Sequence, residues 1–170
     1  MCACVIGFSS GGALALILAA EQPKGLTGVA AVSAPLKFRN KNLIFVPLVH
    51  GANVLTRWMS TYEGVFPFRV NESEHPNINY RNIPIRGLFE VRRMVEELKN
   101  RLPNVHAPAL VIQGTDDHVV DGKSAELIHR KLGSRSKALH MVEAARHGIL
   151  NEDIGGTQDK LMSFIASLKS

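Results

Sequence analysis

Continuous apolar runs alternate with amphipathic segments along most of this chain. The apolar runs are at residues 2–8, 26–33, 109–114 and 138–142. Because they are apolar throughout rather than at every second position, they are typical of strands buried on both faces of a parallel sheet. Composition and apolar spacing predict helices at residues 13–20, 47–62, 86–101, 124–132 and from 156 or 157 to 168. The alternation predicts an α/β protein with a mostly parallel sheet of about four strands flanked by helices.

The stretch at residues 36–105 differs in composition from the rest. Aromatic residues gather there, and prolines recur at positions 47, 67, 76 and 84. We therefore expect residues 1–35 and 106–170 to form the α/β core, with residues 36–105 as a largely helical insertion between the second and third strands.

Composition limits the class of protein. The chain has 170 residues, of which 45% are hydrophobic, so one domain can bury a substantial core. No apolar stretch reaches the length of about 18 residues that a membrane-spanning helix needs. No basic segment precedes the first apolar run, as it would in a secretory signal. A cytoplasmic protein without a transmembrane segment is expected.

Charge and cysteine usage exclude further classes. The net charge is +5, but the basic residues are scattered and no aromatic residues interleave with them, which argues against nucleic acid as a partner. Cys2 and Cys4 share a face of the first strand, and no second cluster of Cys or His completes a metal set. Buried free thiols are expected, and no metal or organic cofactor.

A serine lies between two glycines where the first strand meets the first helix. The residues are Gly7-Phe8-Ser9-Ser10-Gly11, followed by Gly12 and an Ala/Leu-rich run. This is the Gly-x-Ser-x-Gly pattern in the strand–turn–helix context of a nucleophile elbow. Bulky residues at the flanking positions are expected to collide with the strand or helix backbone, and the glycines are expected to permit the strained dihedral angles of the turn. The alternative is an ordinary turn with Ser9 as a helix cap.

Two polar sites follow later strands. Asp116 and Asp117 come directly after the third predicted strand, and His147 follows the fourth. Because the carboxyl ends of parallel strands share one edge of a sheet, these side chains are expected to converge on Ser9. The other histidines lack such support and are expected to be structural or solvated: His50, His75, His106, His118, His129 and His140.

Three ordered motifs resemble those of the α/β-hydrolases, in particular the esterase and monoacylglycerol-lipase-like group. They are GFSSGG, GTDDHVV and RHGILNE, which together span almost the whole chain. The resemblance implies a catalytic triad of Ser9, Asp117 and His147, and its G-x-x-D-x-V pattern selects Asp117 over Asp116. It also implies that residues 36–105 form a cap over an acyl pocket.

The same resemblance assigns roles to these residues. Ser9 is the expected nucleophile, His147 the general base and acid, and Asp117 the group that orients the imidazole. The backbone amide of Ser10 is the expected oxyanion donor, while a second donor is unassigned. The aromatic residues that are candidates for substrate contact, or alternatively for cap core, are Phe8, Phe45, Trp58, Phe66 and Phe68.

The chain departs from the family in beginning at the elbow strand. The family carries four earlier strands and a loop that supplies the second oxyanion amide, and these have no counterpart here. One edge of the first strand is therefore expected to lie open, with apolar side chains on both faces. Since open apolar edges favour association, a homodimer is expected. The equally weighted alternative is that the sequence is a truncated piece of a longer hydrolase.

The leading hypothesis is a serine carboxylic-ester hydrolase that cleaves short- to medium-chain acyl esters or glycerides through an acyl-enzyme. A thioesterase, an acyltransferase or a peptidase could use the same triad. The hypothesis from a different class is a non-catalytic remnant of the hydrolase fold that binds a ligand or a partner.

Overall fold

The computed structural model describes residues 2–40, 44–59, 67–70 and 80–168. The chain divides into two compact units, which are described separately. The larger unit comprises Met1–Arg39 and Met94–Ser170, and the smaller unit comprises Asn40–Arg93. None of the described helices is both long and apolar enough to span a bilayer.

Six strands and five helices make up the described regular structure, apart from short 3₁₀ turns. The strands are β1 (Ala3–Phe8), β2 (Leu26–Val32), β3 (Phe68–Val70), β4 (Asn82–Pro84), β5 (Ala109–Gly114) and β6 (Lys137–Val142). The helices are α1 (Ser10–Ala20), α2 (Val46–Met59), α3 (Ile85–Arg101), α4 (Lys123–Lys131) and α5 (Thr157–Ser167).

A four-stranded parallel sheet forms the centre of the larger unit. Its strand order is β1-β2-β5-β6, and each neighbouring pair is parallel. All four strands therefore end at the same edge of the sheet, and the loops that follow them emerge there together. The sheet and its helices have the predicted α/β architecture with a parallel sheet of four strands.

Apolar side chains cover both faces of the sheet, which explains why the strand sequences do not alternate. In β2, Val29 and Ala31 lie in one buried cluster with α1, while Ala30 and Val32 lie in a second cluster with Leu161 of α5. Every residue of β5 is buried. Successive side chains of a strand point to opposite faces, so a strand covered on both sides is apolar at every position.

The predicted element boundaries lie within a few residues of the observed ones, and β5 has the predicted bounds. The cysteines differ from expectation. Cys2 precedes β1 and is exposed, whereas Cys4 is only partly buried. The expectation of buried thiols was wrong for Cys2 because β1 is an edge strand of the sheet, with less packed around it than around β2 and β5.

The smaller unit contains α2, the first part of α3 and an antiparallel pair of short strands. Phe68 of β3 pairs with Pro84 of β4. Sequence analysis missed this pair because each strand has only three residues, too few for a period of two to be recognised. The unit buries Val46 and Ile85, but it leaves the aromatic residues Phe45, Trp58 and Phe68 exposed.

Candidate active site

Ser9 occupies the turn between β1 and α1. Its backbone has φ 54° and ψ −125°, a conformation that non-glycine residues adopt at some energetic cost. The Ser9 amide donates to the carbonyl of Val32 at 2.8 Å, and the Ser9 carbonyl accepts from the amide of Gly12 at 2.9 Å. Hydrogen bonds on both sides thus hold the strained serine at the carboxyl edge of the sheet, where α1 begins.

The glycines around Ser9 differ in how much space a side chain would have at each position. A Cβ on Gly7 would lie 2.1 Å from the carbonyl oxygen of Gly11, which is far inside van der Waals contact. A Cβ on Gly12 would approach the Cβ of Ala34 to 3.0 Å. A Cβ on Gly11 would meet nothing within 4 Å. The expected steric requirement is therefore correct for Gly7 but wrong for Gly11, because Gly11 points into open space at the start of α1.

Three side chains from the larger unit form a continuous chain of hydrogen-bonding distances. His147 Nε2 lies 2.9 Å from Ser9 Oγ, and His147 Nδ1 lies 2.7 Å from Asp117 Oδ2. These are the three residues that the sequence predicted as a triad. The order of contacts places the imidazole between hydroxyl and carboxylate, which allows a proton to pass from the hydroxyl to Nε2.

Asp117 is fully buried and surrounded by donors. Its Oδ1 accepts from the backbone amides of Val119 at 2.8 Å and Val120 at 3.0 Å. Its Oδ2 accepts from Gln113 Nε2 at 2.9 Å as well as from His147. Burial by itself raises the pKa of Asp117, but the bond to His147, the two amides and the attraction of the imidazole together hold this pKa below its usual range. Asp117 is thus suited to remain ionised beside His147.

The rival acid and the nearest other histidine have different environments. The Asp116 side chain is exposed, and its Oδ2 accepts from the hydroxyl of Thr115 at 3.3 Å. His118 Nδ1 lies 2.9 Å from the carbonyl oxygen of Ala145. Both residues therefore have contacts within the loops that carry Asp117 and His147.

The remaining histidines are spread over both units. His50 stacks on Phe89 in the smaller unit, with ring centroids 4.4 Å apart. His129 lies in α4 and His140 in β6, as expected, and His106 follows α3. His75 lies outside the described residues.

Sequence reasoning did not single out three residues that contact the site. The buried Ser33 donates from Oγ to the carbonyl of His147 at 3.3 Å. Arg39 Nη1 donates to the carbonyls of Asp116 at 2.9 Å and Asp117 at 3.2 Å. Gln113 bonds Asp117 as described above. A polar residue inside the apolar run of β5, directly before the acid loop, was a signal that could have identified Gln113.

The aromatic residues proposed for substrate contact have separate locations. The ring of Phe8 lies next to the imidazole of His147, with centroids 5.1 Å apart and planes inclined at 41°. Phe68 lines a cavity of about 590 Å³ in the smaller unit, together with residues that include Val54, Pro67 and Pro84. Phe45 and Trp58 are exposed on that unit, and Phe66 lies outside the described residues.

No group of three or more Cys, His, Asp or Glu in the described part of the chain is arranged to hold a metal ion. The site described above consists of a hydroxyl, an imidazole and a carboxylate, the groups used in nucleophilic catalysis.

A model of the Hydrolase_4 family, described as serine aminopeptidase, S33, matches residues 3–154. The chain belongs to this family. Among curated proteins, this S33 chain is 23% identical over 143 residues to a carboxylesterase of Bacillus subtilis (strain 168), covering 84% of the chain and 54% of the relative. It is 28% identical over 158 residues to the Homo sapiens monoglyceride lipase, covering 87% of the chain and 52% of the relative.

Solved structures of other proteins have the same fold as this S33 chain. A metagenome-derived lipolytic enzyme from work on LipS and LipT superposes with a TM-score of 0.79 at 21% identity, covering 99% of this chain and 65% of that one. The monoacylglycerol lipase of Paleococcus ferrophilus gives a TM-score of 0.70 at 20% identity, with 96% and 69% covered. The chain spans about half the length of the curated relatives it matches.

Proposed function

We propose that this protein is a serine hydrolase acting on carboxylic esters, with Ser9 as nucleophile, His147 as general base and acid, and Asp117 as the orienting carboxylate. The observation that carries the proposal is the unbroken relay from Ser9 Oγ through His147 to Asp117, with separations of 2.9 Å and 2.7 Å. Two further facts support it: Ser9 has the strained backbone of a nucleophile elbow, and curated relatives carry the names carboxylesterase and monoglyceride lipase.

Acylation begins when His147 Nε2 takes the proton of Ser9 Oγ as this oxygen attacks the ester carbonyl carbon. The resulting oxyanion accepts a hydrogen bond from the backbone amide of Ser10, the first residue of α1, whose positive helix end also attracts negative charge. Asp117 stabilises the imidazolium that forms. His147 then returns the proton to the alcohol oxygen as the bond between it and the carbonyl carbon breaks.

Deacylation repeats these steps with water as the nucleophile. His147 Nε2 removes a proton from the water, whose oxygen attacks the carbonyl carbon of the acyl-enzyme. The proton then passes to Ser9 Oγ as the acyl bond breaks and the carboxylic acid leaves. The residues are restored to their starting state, so a second turnover needs no other reagent.

For the substrate, we propose short- to medium-chain acyl esters, including glycerides, with the smaller unit acting as the cap. The cavity of the smaller unit supports this, since its volume of about 590 Å³ is within the range of small-molecule sites. Val54 and Phe68 give one part of it an apolar wall that suits a hydrocarbon chain, and Arg57 and Glu90 are among the polar residues of the remaining lining. Substituting Val54 with Trp is expected to reduce turnover of the longer esters in a series from acetate to palmitate more than that of acetate.

A p-nitrophenyl ester assay tests the catalytic assignment. The wild type is expected to release p-nitrophenol, and Ser9→Ala is expected to reduce the rate to that of the uncatalysed reaction. Ser136→Ala is the matched control, because Ser136 is an exposed serine that precedes β6, at the opposite edge of the sheet from Ser9. It is expected to retain the wild-type rate.

A second measurement does not depend on choosing the right substrate. A fluorophosphonate reacts with activated serines, so mass spectrometry should find one adduct on the peptide that contains Ser9. Wild-type protein that neither turns over any ester nor takes up the probe would reject the enzyme and leave the alternative, a hydrolase-fold protein that binds a ligand. Turnover of thioesters or peptides in preference to oxygen esters would reject the substrate class alone.

We also propose that the protein forms a homodimer through the edge of β1 that faces away from β2. In the described sheet β1 pairs with β2 on one side, and Ile6 of β1 and the neighbouring α1 residues Leu14 and Leu18 are exposed. Analytical ultracentrifugation is expected to show a dimer that dissociates when Ile6 and Leu14 are replaced by Lys. A monomer at all accessible concentrations would reject this interface.

A further inference from the structure

We propose that Gln113 is a positioning residue, whose side-chain amide orients the Asp117 carboxylate toward His147. The proposal rests on the proposed function, because it concerns the efficiency of the same triad. The distance from Gln113 Nε2 to Asp117 Oδ2 is 2.9 Å, and the two residues are four positions apart in sequence. Gln113 thus holds the same carboxylate oxygen that accepts from His147 Nδ1.

The location of Gln113 argues that its amide has a purpose other than packing. Gln113 lies in β5, and both it and Asp117 are fully buried. The other residues of β5 are apolar or glycine. A leucine or methionine could fill this space without bringing a polar group out of water, which is unfavourable unless the group is fully bonded. Position 113 instead carries an amide, which lies beside the carboxylate of Asp117.

Among the described residues, only the nitrogen of the Gln113 side-chain amide has hydrogen-bond partners. Because an ionised carboxylate only accepts hydrogen bonds, the NH₂ group of Gln113 must face Asp117. Its other contact, with the carbonyl of Gly114 at 3.4 Å, is long. Gln113 Oε1 is then left as the one buried side-chain nitrogen or oxygen without a hydrogen-bond partner in the described part of the chain. Such a group lowers stability, and native proteins retain it where another role compensates.

That role follows from the geometry of the carboxylate. The amides of Val119 and Val120 fix the position of Oδ1. The carboxylate could still rotate about an axis through Oδ1, and this rotation would move Oδ2. The bond from Gln113 to Oδ2 removes this freedom and keeps Oδ2 in line with His147 Nδ1. The imidazole is thereby kept in the tautomer that carries its proton on Nδ1, so that Nε2 is free of a proton and can accept one from Ser9.

The bond from Gln113 also moderates the charge on Oδ2. The other charged groups near this loop are His147 and the guanidinium of Arg39, which bonds the backbone carbonyls of Asp116 and Asp117. Asp116 is exposed and bonded to Thr115. Without Gln113, Oδ2 would keep only His147 of its two described partners, so no other group would fix its direction.

Gln113→Met provides the main test, since methionine has a similar length and no donor. We expect kcat for a p-nitrophenyl ester to fall about tenfold or more, since a hydrogen bond to a charged group is lost, while KM changes little. The thermal midpoint does not decide between the roles, because the variant loses both the bond to Asp117 and the unbonded Oε1. Gln113→Glu keeps the shape but replaces the donor by an acceptor, so it should lower kcat at least as much. Gln22→Met, at an exposed glutamine beyond the other end of α1, is the matched control.

These results separate a positioning role from a structural one. A structural role predicts a changed thermal midpoint for Gln113→Met with kcat and KM unchanged, and that result would overturn the proposal. NMR of the wild type supplies a test that needs neither a variant nor turnover. One side-chain NH₂ proton of Gln113 should exchange slowly with solvent and resonate downfield, as a donor to a buried carboxylate does. Signals typical of an unbonded side-chain amide would also reject the proposal, even if the protein hydrolyses no ester.

Discussion

His147 Nε2 lies 2.9 Å from Ser9 Oγ, although 138 residues separate the two in sequence. The contact also spans the sheet, because Ser9 follows β1 at one edge and His147 follows β6 at the other. Three strand spacings amount to about 14 Å. The segment between Val142 and His147 can extend about 16 Å, so it is just long enough to cross.

Hydrogen bonds along the way hold this crossing segment in place. The amide of Asp116, after β5, donates to the carbonyl of Ala144 at 3.0 Å. Ser33, after β2, donates to the carbonyl of His147 at 3.3 Å. The ends of the two central strands thus support the path of the loop, and the position of His147 depends on all four strands ending at one edge.

Replacing one carboxylate oxygen of Asp117 by an NH₂ group should disable the relay from Ser9 through His147 to Asp117. In Asp117→Asn the amides of Val119 and Val120 still require an acceptor, so the new NH₂ group must take the place of Oδ2. It then faces His147 Nδ1, which must lose its proton to accept a bond, and the proton moves to Nε2. An Nε2 that already carries a proton cannot take one from Ser9. We expect kcat to fall about 10⁴-fold with the fold retained.

Asp116→Asn is the matched control for this change. The Asp116 side chain is exposed and accepts a hydrogen bond from its neighbour Thr115, so wild-type activity is expected.

 The kcat values of purified wild type, Asp117→Asn and Asp116→Asn in the same ester assay check the prediction. Equal losses at positions 116 and 117 would contradict the assignment of Asp117.

The environment of Asp117 also predicts how stability depends on pH. The pKa of Asp117 is held below its usual range in the folded protein, so the folded state favours the ionised carboxylate. Its contribution to the free energy of unfolding is complete above the unfolded-state pKa of about 3.9. This contribution is lost as the pH falls through the lower folded-state value.

Urea titrations at several pH values test this dependence. The difference in unfolding free energy between the wild type and Asp117→Asn should be constant near neutral pH and should shrink in acid, below the ordinary range of aspartate. A difference that grows as the pH falls would mean that the carboxylate is not stabilised by its four donors.

Much of the architecture could be predicted because it depends on local patterns. Continuous apolar runs such as β5 and the glycine-flanked Ser9 carry their information within a few residues. Convergence of Asp117 and His147 on Ser9 followed from the parallel order of the strands. The short β3–β4 pair was missed because three residues do not establish a period.

The supporting contacts of the site could not be predicted in the same way. Arg39 bonds the loop of Asp117 from a position 78 residues away, and nothing in the sequence around it distinguishes it from other basic residues. Ser33 bonds the backbone carbonyl of His147, so no complementary side chain in the sequence indicates this contact. Gly11 fits the elbow pattern but has open space around it, so the pattern overstated its steric importance.

The two glycines of the elbow should respond differently to alanine. In Gly7→Ala the new methyl group meets the Gly11 carbonyl at 2.1 Å, and the backbone of α1 must shift to admit it. We expect a loss of about 3 kcal/mol in unfolding free energy, together with a loss of activity because Ser9 moves. Gly11→Ala introduces no contact within 4 Å and favours the helix, so it should be neutral or stabilising by about 0.5–1 kcal/mol. Thermal and urea unfolding measure both changes, and comparable destabilisation by the two variants would refute the steric distinction.

Arg39 should affect activity through the backbone that carries Asp117. Residues 37–39 run alongside the acid loop, with the Arg39 amide donating to the Val119 carbonyl at 3.1 Å and the Asp121 amide to the Lys37 carbonyl at 3.0 Å. Arg39→Met preserves these backbone bonds and most of the side-chain length, but it removes the guanidinium that bonds the carbonyls of Asp116 and Asp117. The loop should then become more mobile, which lowers kcat severalfold and the unfolding free energy by about 1 kcal/mol.

Arg93→Met is the control for the loss of an exposed arginine. Arg93 pairs with Glu90 one turn away on α3, at 3.0 Å, and such pairs contribute about 0.2–0.5 kcal/mol. Its substitution should leave kcat unchanged. Steady-state kinetics and urea unfolding of both variants decide the matter: if Arg39→Met behaves like Arg93→Met in kcat, the guanidinium does not position Asp117, and the backbone pairing of residues 37–39 is sufficient to hold the loop.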